Sequence, residues 1–170
     1  GSLSEVESGL SRDAARVIET QPEVAAAAGR RLATADLVVL VTIKKRSDRQ
    51  TSNVTVRGIS PQAEAVRPQV KLAAGRSFAR GTREIMVGSA IHRKFLGTDI
   101  GDTLRLSGTD WQVVGIMDAG NTAFSSEIWG DVDILMPAFR REQFSSVTFK
   151  LAPGADFAAM KARLERDPRL

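Results

Sequence analysis

The acidic residues in the second half of the sequence are the first candidates for chemistry, because paired carboxylates can transfer protons or hold a metal ion. The candidates are Asp99, Asp102, Glu127, Asp131 and Asp133. The spacing of the last three fits neither a calcium-binding EF-hand loop nor two carboxylates held on opposed elements. We therefore interpret these acids as turn-forming and solvent-exposed residues. The alternative is a stand-alone hydrolase or ligand-binding enzyme that uses Glu127, Asp131 and Asp133.

Other groups that could perform catalysis are scarce. The sequence has no cysteine, which excludes disulfides, thiol nucleophiles and cysteine-bound zinc, and it has one histidine. This histidine, His92, precedes Arg93 and Lys94 and lies off the apolar side formed by Ile91 and Phe95, as expected for a helical residue that faces solvent. No glycine pattern matches a phosphate-binding loop. The sequence thus predicts no catalytic residue, no cofactor and no metal ion.

Basic residues are concentrated between residues 44 and 83, where ten lysine and arginine residues accompany two acids, Asp48 and Glu64. The rest of the chain has 14 basic and 18 acidic residues. A basic surface can bind nucleic acid or anionic lipid. However, the only aromatic residue of this window is Phe78, so the stacking surface that single-stranded nucleic acids require is missing. We expect a surface that faces solvent, an acidic protein or membrane headgroups, and no nucleic-acid partner.

Residues 118–130 form a long segment with little hydrophobic periodicity. Phe124, Ile128 and Trp129 are large apolar residues within it. Such residues either pack back onto the core or contact a partner, and packing onto the core is the commoner case. Tryptophan is nevertheless enriched at interaction hot spots. The sequence therefore leaves these three residues as candidate partner contacts.

Hydrophobic periodicity indicates the elements that would position these residues. Ser4 and Glu7 match a capping box, and apolar residues follow at helical spacing, which predicts an amphipathic helix over residues 4–20. Residues 24–32 are ambiguous between helix and strand, and we assign them as strand. Residues 133–136, which include a short apolar run after the aperiodic segment, are predicted to be a strand.

Two β-hairpins are predicted. Residues 37–43 and 54–59 are rich in β-branched residues, and a polar, flexible tip joins them. Residues 103–106 and 112–116 flank a second turn. The other predicted elements are a strand at residues 84–87, a helix capped by Ser89, a short helix at residues 137–141, a strand at residues 146–151 and a last helix capped by Asp156. This mixed order predicts an α+β fold.

The longest dense apolar run, residues 37–43, is far shorter than the about 18 residues that a membrane-spanning helix needs. No signal-peptide pattern opens the sequence. Gly1 and Ser2 are typical of a cloning remnant, so we expect residues 3–170 to be a domain taken from a larger protein.

Several stretches in order along the chain resemble one family, the MacB-like periplasmic core domain of FtsX-like ABC transporter permeases. These stretches are VTVRGI (54–59), AGRSF (74–78), IMVGSA (85–90), IGDTLRL (100–106), VVGI (113–116) and DILMP (133–137). The sequence SSEIWGD at residues 125–131 is similar to a DevC-type branch of that family. The resemblance implies a two-lobed fold, in which a β-rich lobe within about residues 60–135 is inserted into a mixed α/β lobe.

The same resemblance implies a function without bond chemistry. The chain would be the extracytoplasmic domain of a bacterial permease subunit, on the periplasmic side of the inner membrane. It would couple membrane-helix motion, driven by a separate ATP-binding subunit, to the handling of cargo or an adaptor. The implied partners are a second permease copy, that ATP-binding subunit through the membrane part, and a periplasmic adaptor.

Overall fold

The computed structural model describes residues 3–61 and 63–170, with the side chains of residues 7, 8, 64 and 65 left aside. Gly1 and Ser2, which we interpreted as a cloning remnant, lie outside the described residues, as does Gln62. The chain divides into two compact units. Unit 1 comprises residues 1–36, 60–67 and 142–170, and unit 2 comprises residues 37–59 and 68–141.

The strands are β1 (Leu3–Leu10), β2 (Ala26–Ala27), β3 (Arg30–Arg31), β4 (Ala33–Lys44), β5 (Thr51–Ile59), β6 (Lys71–Gly75), β7 (Glu84–Gly88), β8 (Thr103–Leu106), β9 (Thr109–Asp118), β10 (Glu127–Asp131) and β11 (Phe144–Lys150). The helices are α1 (Arg12–Glu19), α2 (Ala63–Val66), α3 (Ser89–Lys94), α4 (Val132–Ala138) and α5 (Phe157–Glu165), together with a 3₁₀ helix at Ala123–Ser126. None of the helices in the described ranges is long and apolar enough to cross a membrane.

Unit 1 is built on three antiparallel strands, in the order β1, β11 and the first four residues of β4. Its core contains the buried side chains of α1 and α5, which include Ile18, Met160 and Leu164, and the buried Val147 and Phe149 of β11. The apolar residues of both helices recur at helical spacing, so each helix buries one side.

Unit 2 contains the rest of β4 and the strand order β4, β5, β10, β7, β9 and β6, with β8 paired to β9. The pairs β5 with β10 and β7 with β9 are parallel, and the others are antiparallel. Helix α4 packs closely on β5: a Cβ atom at Gly58 would lie 2.9 Å from the Cα of Val132. A glycine at this position permits the contact.

Several sequence predictions are confirmed. Both hairpins form, as β4 with β5 and as β8 with β9, and the strands β7 and β11 lie where they were predicted. Asp156 caps α5, since its side chain accepts a hydrogen bond from the Ala159 amide at 3.2 Å. The predicted strand at residues 24–32 reduces to the two-residue strands β2 and β3.

The prediction of a helix over residues 4–20 is wrong for its first half. Residues Leu3–Leu10 form β1, and the helix begins only after Ser11, whose side chain accepts a hydrogen bond from the Ala14 amide at 3.0 Å. Pairing with β11 gives this segment backbone hydrogen bonds that local sequence does not reveal. Such tertiary pairing overrides a weak helical preference.

Residues 118–139 also differ from the sequence prediction. The aperiodic segment contains β10, all five residues of which are buried, and a strand buried on both faces shows no alternation. The predicted strand at residues 133–136 lies inside α4, because Asp131 caps that helix through the Asp133 amide at 3.0 Å. Helix α4 also includes Pro137, the predicted start of a separate helix.

The boundaries of the two units differ from those of the predicted lobes. The first hairpin, predicted to lie outside the inserted lobe, belongs largely to unit 2. Residues 60–67, at the start of the predicted insertion, belong to unit 1.

Candidate interaction surface

The three candidate partner contacts lie on β10 and on the 3₁₀ helix before it. Ile128 and Trp129 are 0% exposed, because β10 is an inner strand between β5 and β7. Phe124 is half-buried and packs edge-on against Trp129, with ring centroids 5.6 Å apart. In this structure Ile128 and Trp129 therefore pack in the core of unit 2, and Phe124 is the one of the three with an accessible side chain.

Glu127 is held in a buried cluster with two of these aromatic residues. Arg57 donates to both carboxylate oxygens of Glu127, at 2.8 and 3.1 Å, and the indole Nε1 of Trp129 donates to Oε1 at 2.8 Å. The Arg57 guanidinium carbon also lies 5.4 Å from the centroid of the Phe124 ring. The parallel pairing of β5 and β10 places Trp129 opposite Arg57, which brings these groups together. The hydrogen bonds from Arg57 and Trp129 thus hold the Glu127 side chain in place within unit 2.

Asp131 anchors a loop to the start of α4. Its Oδ2 accepts a hydrogen bond from the Gly81 amide at 2.7 Å, and its Oδ1 accepts one from the Asp133 amide. Arg80 lies 3.4 Å from the same carboxylate and donates to the Ile59 carbonyl at 2.6 Å. Within residues 3–61 and 63–170, no three histidine or acidic side chains are grouped so that they could hold a metal ion. The three acids of the enzyme alternative thus do not form a metal site there.

His92 and Asp99 belong to a different cluster, at the end of the first hairpin. The His92 Nε2 lies 2.8 Å from the Asp99 Oδ1, and Arg46 donates to the same oxygen at 3.1 Å. The hydrogen bond from His92, followed by the charge of Arg46, lowers the pKa of Asp99 below its usual value. Asp102 accepts a hydrogen bond from the Asp99 amide at 3.0 Å. These contacts stabilise the loop that follows α3.

The hairpin tip is attached to the end of α3 by its backbone. The Arg46 amide donates to the Lys94 carbonyl at 2.8 Å, and the Leu96 amide donates to the Lys44 carbonyl at 2.9 Å. Arg46 Nε also donates to the His92 carbonyl at 3.1 Å. The base of the tip is thus hydrogen-bonded to the end of α3. The flexibility expected from the sequence for residues 44–53 stays a prediction.

This attachment assembles a group of exposed cations, of which the sequence pattern indicated only a part. Lys45 pairs with Asp48 and Arg46 pairs with Asp99. The remaining cations, Lys44, Arg49, Arg93 and Lys94, are exposed, and no acidic side chain of the described residues lies within ion-pair distance of them. We call these four residues the cation platform. The basic window of the sequence indicated half of it, and the contribution of α3 depends on tertiary contacts.

Residues 3–167 match a family model described as the MacB-like periplasmic core domain. No curated protein matches the chain. Two solved structures with a similar fold are the extracellular domain of the noncanonic ABC-type transporter YknZ from Gram-positive bacteria and the periplasmic region of MacB from Actinobacillus actinomycetemcomitans. The first has 16% sequence identity and a TM-score of 0.66, and the match covers 94% of this chain and 86% of that one. The second has 14% identity and a TM-score of 0.64, with 94% and 72% covered.

A third similar structure is a domain of a putative permease protein from Porphyromonas gingivalis, with 19% identity and a TM-score of 0.64. The match covers 94% of this chain and 69% of that chain. At these low identities, the similarity between this chain and the three structures is one of fold.

Proposed function

Because this chain belongs to the family of MacB-like periplasmic core domains of FtsX-like ABC transporter permeases, we propose that it couples ATP-driven motion of membrane helices to the handling of cargo or an adaptor outside the membrane. The observation that carries the proposal is the family match over residues 3–167, nearly the whole chain. The acids Glu127 and Asp131 make structural contacts, and no observation favours the hydrolase alternative. The domain would act mechanically, without bond chemistry.

We further propose that the domain lies on the periplasmic side of the inner membrane in a full-length permease. Its partners there would be a second permease copy and an adaptor, and a separate ATP-binding subunit would act through the membrane part. One structural feature supports this arrangement. Arg169 and Leu170 line the same groove of unit 1, about 530 Å³ in volume, as Glu5 and Val6. Segments that flank the domain would therefore leave unit 1 close together, as two adjacent membrane helices require.

A buried polar network in unit 1 offers a way to pass on such motion. Arg67 donates to Asp36 Oδ2 at 2.8 Å and to Thr148 Oγ1 at 3.2 Å, and Thr34 donates to Asp36 Oδ1 at 2.7 Å. The Ser60 hydroxyl donates to Thr34 Oγ1 at 2.8 Å. The network thus holds residues at three of the four places where the chain passes between the units. A displacement of unit 1 would be passed to unit 2 along the chain segments that leave this network.

The proposal is tested by replacing residues 3–170 with a flexible Gly-Ser linker in the full-length permease, reconstituted with its ATP-binding subunit. We expect ATP hydrolysis to persist and transport to be lost, because the linker cannot transmit force or bind a partner. A permease that carries the Thr20→Ala substitution, which removes only local hydrogen bonds to the Arg16 and Val17 carbonyls, is the control. Transport at the wild-type rate with the linker would overturn the proposal.

A further inference from the structure

We propose that the open edge of β4, together with the cation platform, binds an extended acidic segment of a partner protein. The proposal rests on the proposed function only for the expectation that a partner exists outside the membrane. It specifies the chemistry of that partner and the place at which it binds.

At Leu40 and Thr42, in the part of β4 that belongs to unit 2, one side of the strand pairs with no strand of the described residues. Its residues pair with β5, and β11 pairs only with the first four residues of the strand. The Lys45 amide donates to the Gln50 carbonyl at 2.9 Å. Because hydrogen-bonded and non-hydrogen-bonded pairs alternate in an antiparallel ladder, every second residue of β4 before Lys45 is hydrogen-bonded to β5. The backbone groups of the intervening Leu40 and Thr42 point the other way. No strand of the described residues pairs with them there.

This edge lacks the features that usually protect an unpaired strand. Residues 37–43 contain neither proline nor a charged residue, and the Leu40 side chain is 68% exposed. Leu40 and Thr42 also line a cavity of about 350 Å³, together with Asn53 of β5, Arg105 and Phe139. An unpaired edge without these protecting features fits the addition of a strand from another polypeptide.

The cation platform begins where this edge ends. Lys44 is the last residue of β4, and its side chain lies on the same face as those of Leu40 and Thr42. Residues 44–50 and 89–99 together carry six basic and two acidic residues, an excess of four that equals the formal net charge of the whole chain. Carboxylates of an added strand would therefore meet exposed cations at this end of unit 2.

The surroundings favour a polypeptide over the other polyanions. Single-stranded nucleic acid is typically bound by stacking on exposed aromatic rings, and the aromatic residue at the platform, Phe95, is buried. Exposed cations also attract an anionic membrane surface, and binding to lipid vesicles is therefore one outcome of the test. The free backbone groups of Leu40 and Thr42 can pair with another peptide backbone, which lipids and nucleic acids lack.

The test measures binding of the 170-residue chain to a labelled twelve-residue peptide of alternating glutamate and valine, by fluorescence anisotropy at low salt. We expect the combined variant Lys44→Glu, Arg49→Glu, Arg93→Glu and Lys94→Glu to bind the peptide at least about tenfold more weakly. The matched control reverses four exposed cations elsewhere: Arg30→Glu, Lys71→Glu, Arg83→Glu and Lys161→Glu. Both variants have a formal net charge of −4, and the control should stay within about threefold of wild type.

Two further measurements test the strand edge. Thr42→Pro removes an amide that points to the open side and breaks no bond to β5, so it should weaken binding about tenfold. Methylating alternate backbone nitrogens of the peptide should have the same effect on the unaltered protein, which guards against misfolding of the proline variant. Equal binding of the methylated and unmethylated peptides would overturn strand addition.

Other results would also overturn the inference. Equal loss in the platform variant and its control would show that net charge alone drives binding. Failure to bind the peptide, with or without binding to phosphatidylglycerol vesicles or to a twenty-residue oligothymidine, would exclude an acidic polypeptide partner. None of these results affects the linker experiment, which tests the proposed function independently.

Discussion

Each unit contains a pair of an arginine and a carboxylate in its interior, and the two pairs differ in their surroundings. In unit 1, the side chains of Arg67 and Asp36 are 3% and 0% exposed and contact hydroxyl groups. In unit 2, Arg57 and Glu127 are 13% and 8% exposed and lie against aromatic rings. Losing one partner of a buried pair leaves a charge without compensation, and water compensates that charge better where it can enter. The comparison predicts that the pair in unit 1 is the more sensitive one.

The largest expected effect is that of Arg67→Met. It leaves the Asp36 carboxylate buried without its cation, so we expect the free energy of unfolding to fall by about 3–5 kcal/mol. Urea denaturation measures this value. Adding Asp36→Leu should recover most of the loss, because no buried charge then remains. A loss below about 1 kcal/mol in the single variant would contradict the assignment of Arg67 to a buried ion pair.

Arg57→Met should have a smaller effect. Glu127 keeps the hydrogen bond from Trp129, and water can reach the partly exposed carboxylate, so we expect a loss of about 1.5–3 kcal/mol. The same urea titration compares the two variants directly. If Arg57→Met proved more destabilising than Arg67→Met, burial would not be what distinguishes the two pairs.

The smallest expected effect is that of Glu84→Gln, which removes an exposed ion pair of unit 2. This effect depends on pH. Arg76, and then the Ala79 amide, lower the pKa of Glu84 from 4.5 to about 2. Because the folded-state pKa is lowered, the stabilisation is complete above about pH 4.5 and is lost as the pH falls towards 2. The difference in stability between wild type and Glu84→Gln should therefore shrink over that range. A difference that stays constant from pH 6 to pH 2 would contradict the lowered pKa.

The sequence predicted elements whose signal is local. Residues 37–43 are rich in β-branched residues, residues 54–59 alternate, and a polar turn joins the two stretches. Asp156 precedes an apolar helical pattern, so each of these elements carried its own evidence. The strand Leu3–Leu10 could not be recognised in this way, because its partner β11 lies about 140 residues along the chain. The buried strand β10 likewise showed no alternation that could identify it.

The candidate surface could be predicted only in part. The family resemblance, which the family match supports, depended on short stretches in order, and no single site residue carried it. Phe124 and Trp129 were singled out as candidate partner contacts, and only pairing with β5 and β7 shows that Trp129 is buried. The cation platform requires the contact between the hairpin tip and α3, which no periodicity in either segment reveals.

The most direct test of the central claim is the side of the membrane on which this domain lies. The chain has no cysteine, so Ser47→Cys at the exposed hairpin tip introduces a unique label site into it. In a full-length permease that is otherwise free of cysteine, a membrane-impermeant maleimide that enters the periplasm should label this residue in intact cells, whereas Val56→Cys, 0% exposed, should stay unlabelled. Labelling of the Ser47→Cys variant only after cell lysis would contradict an extracytoplasmic domain.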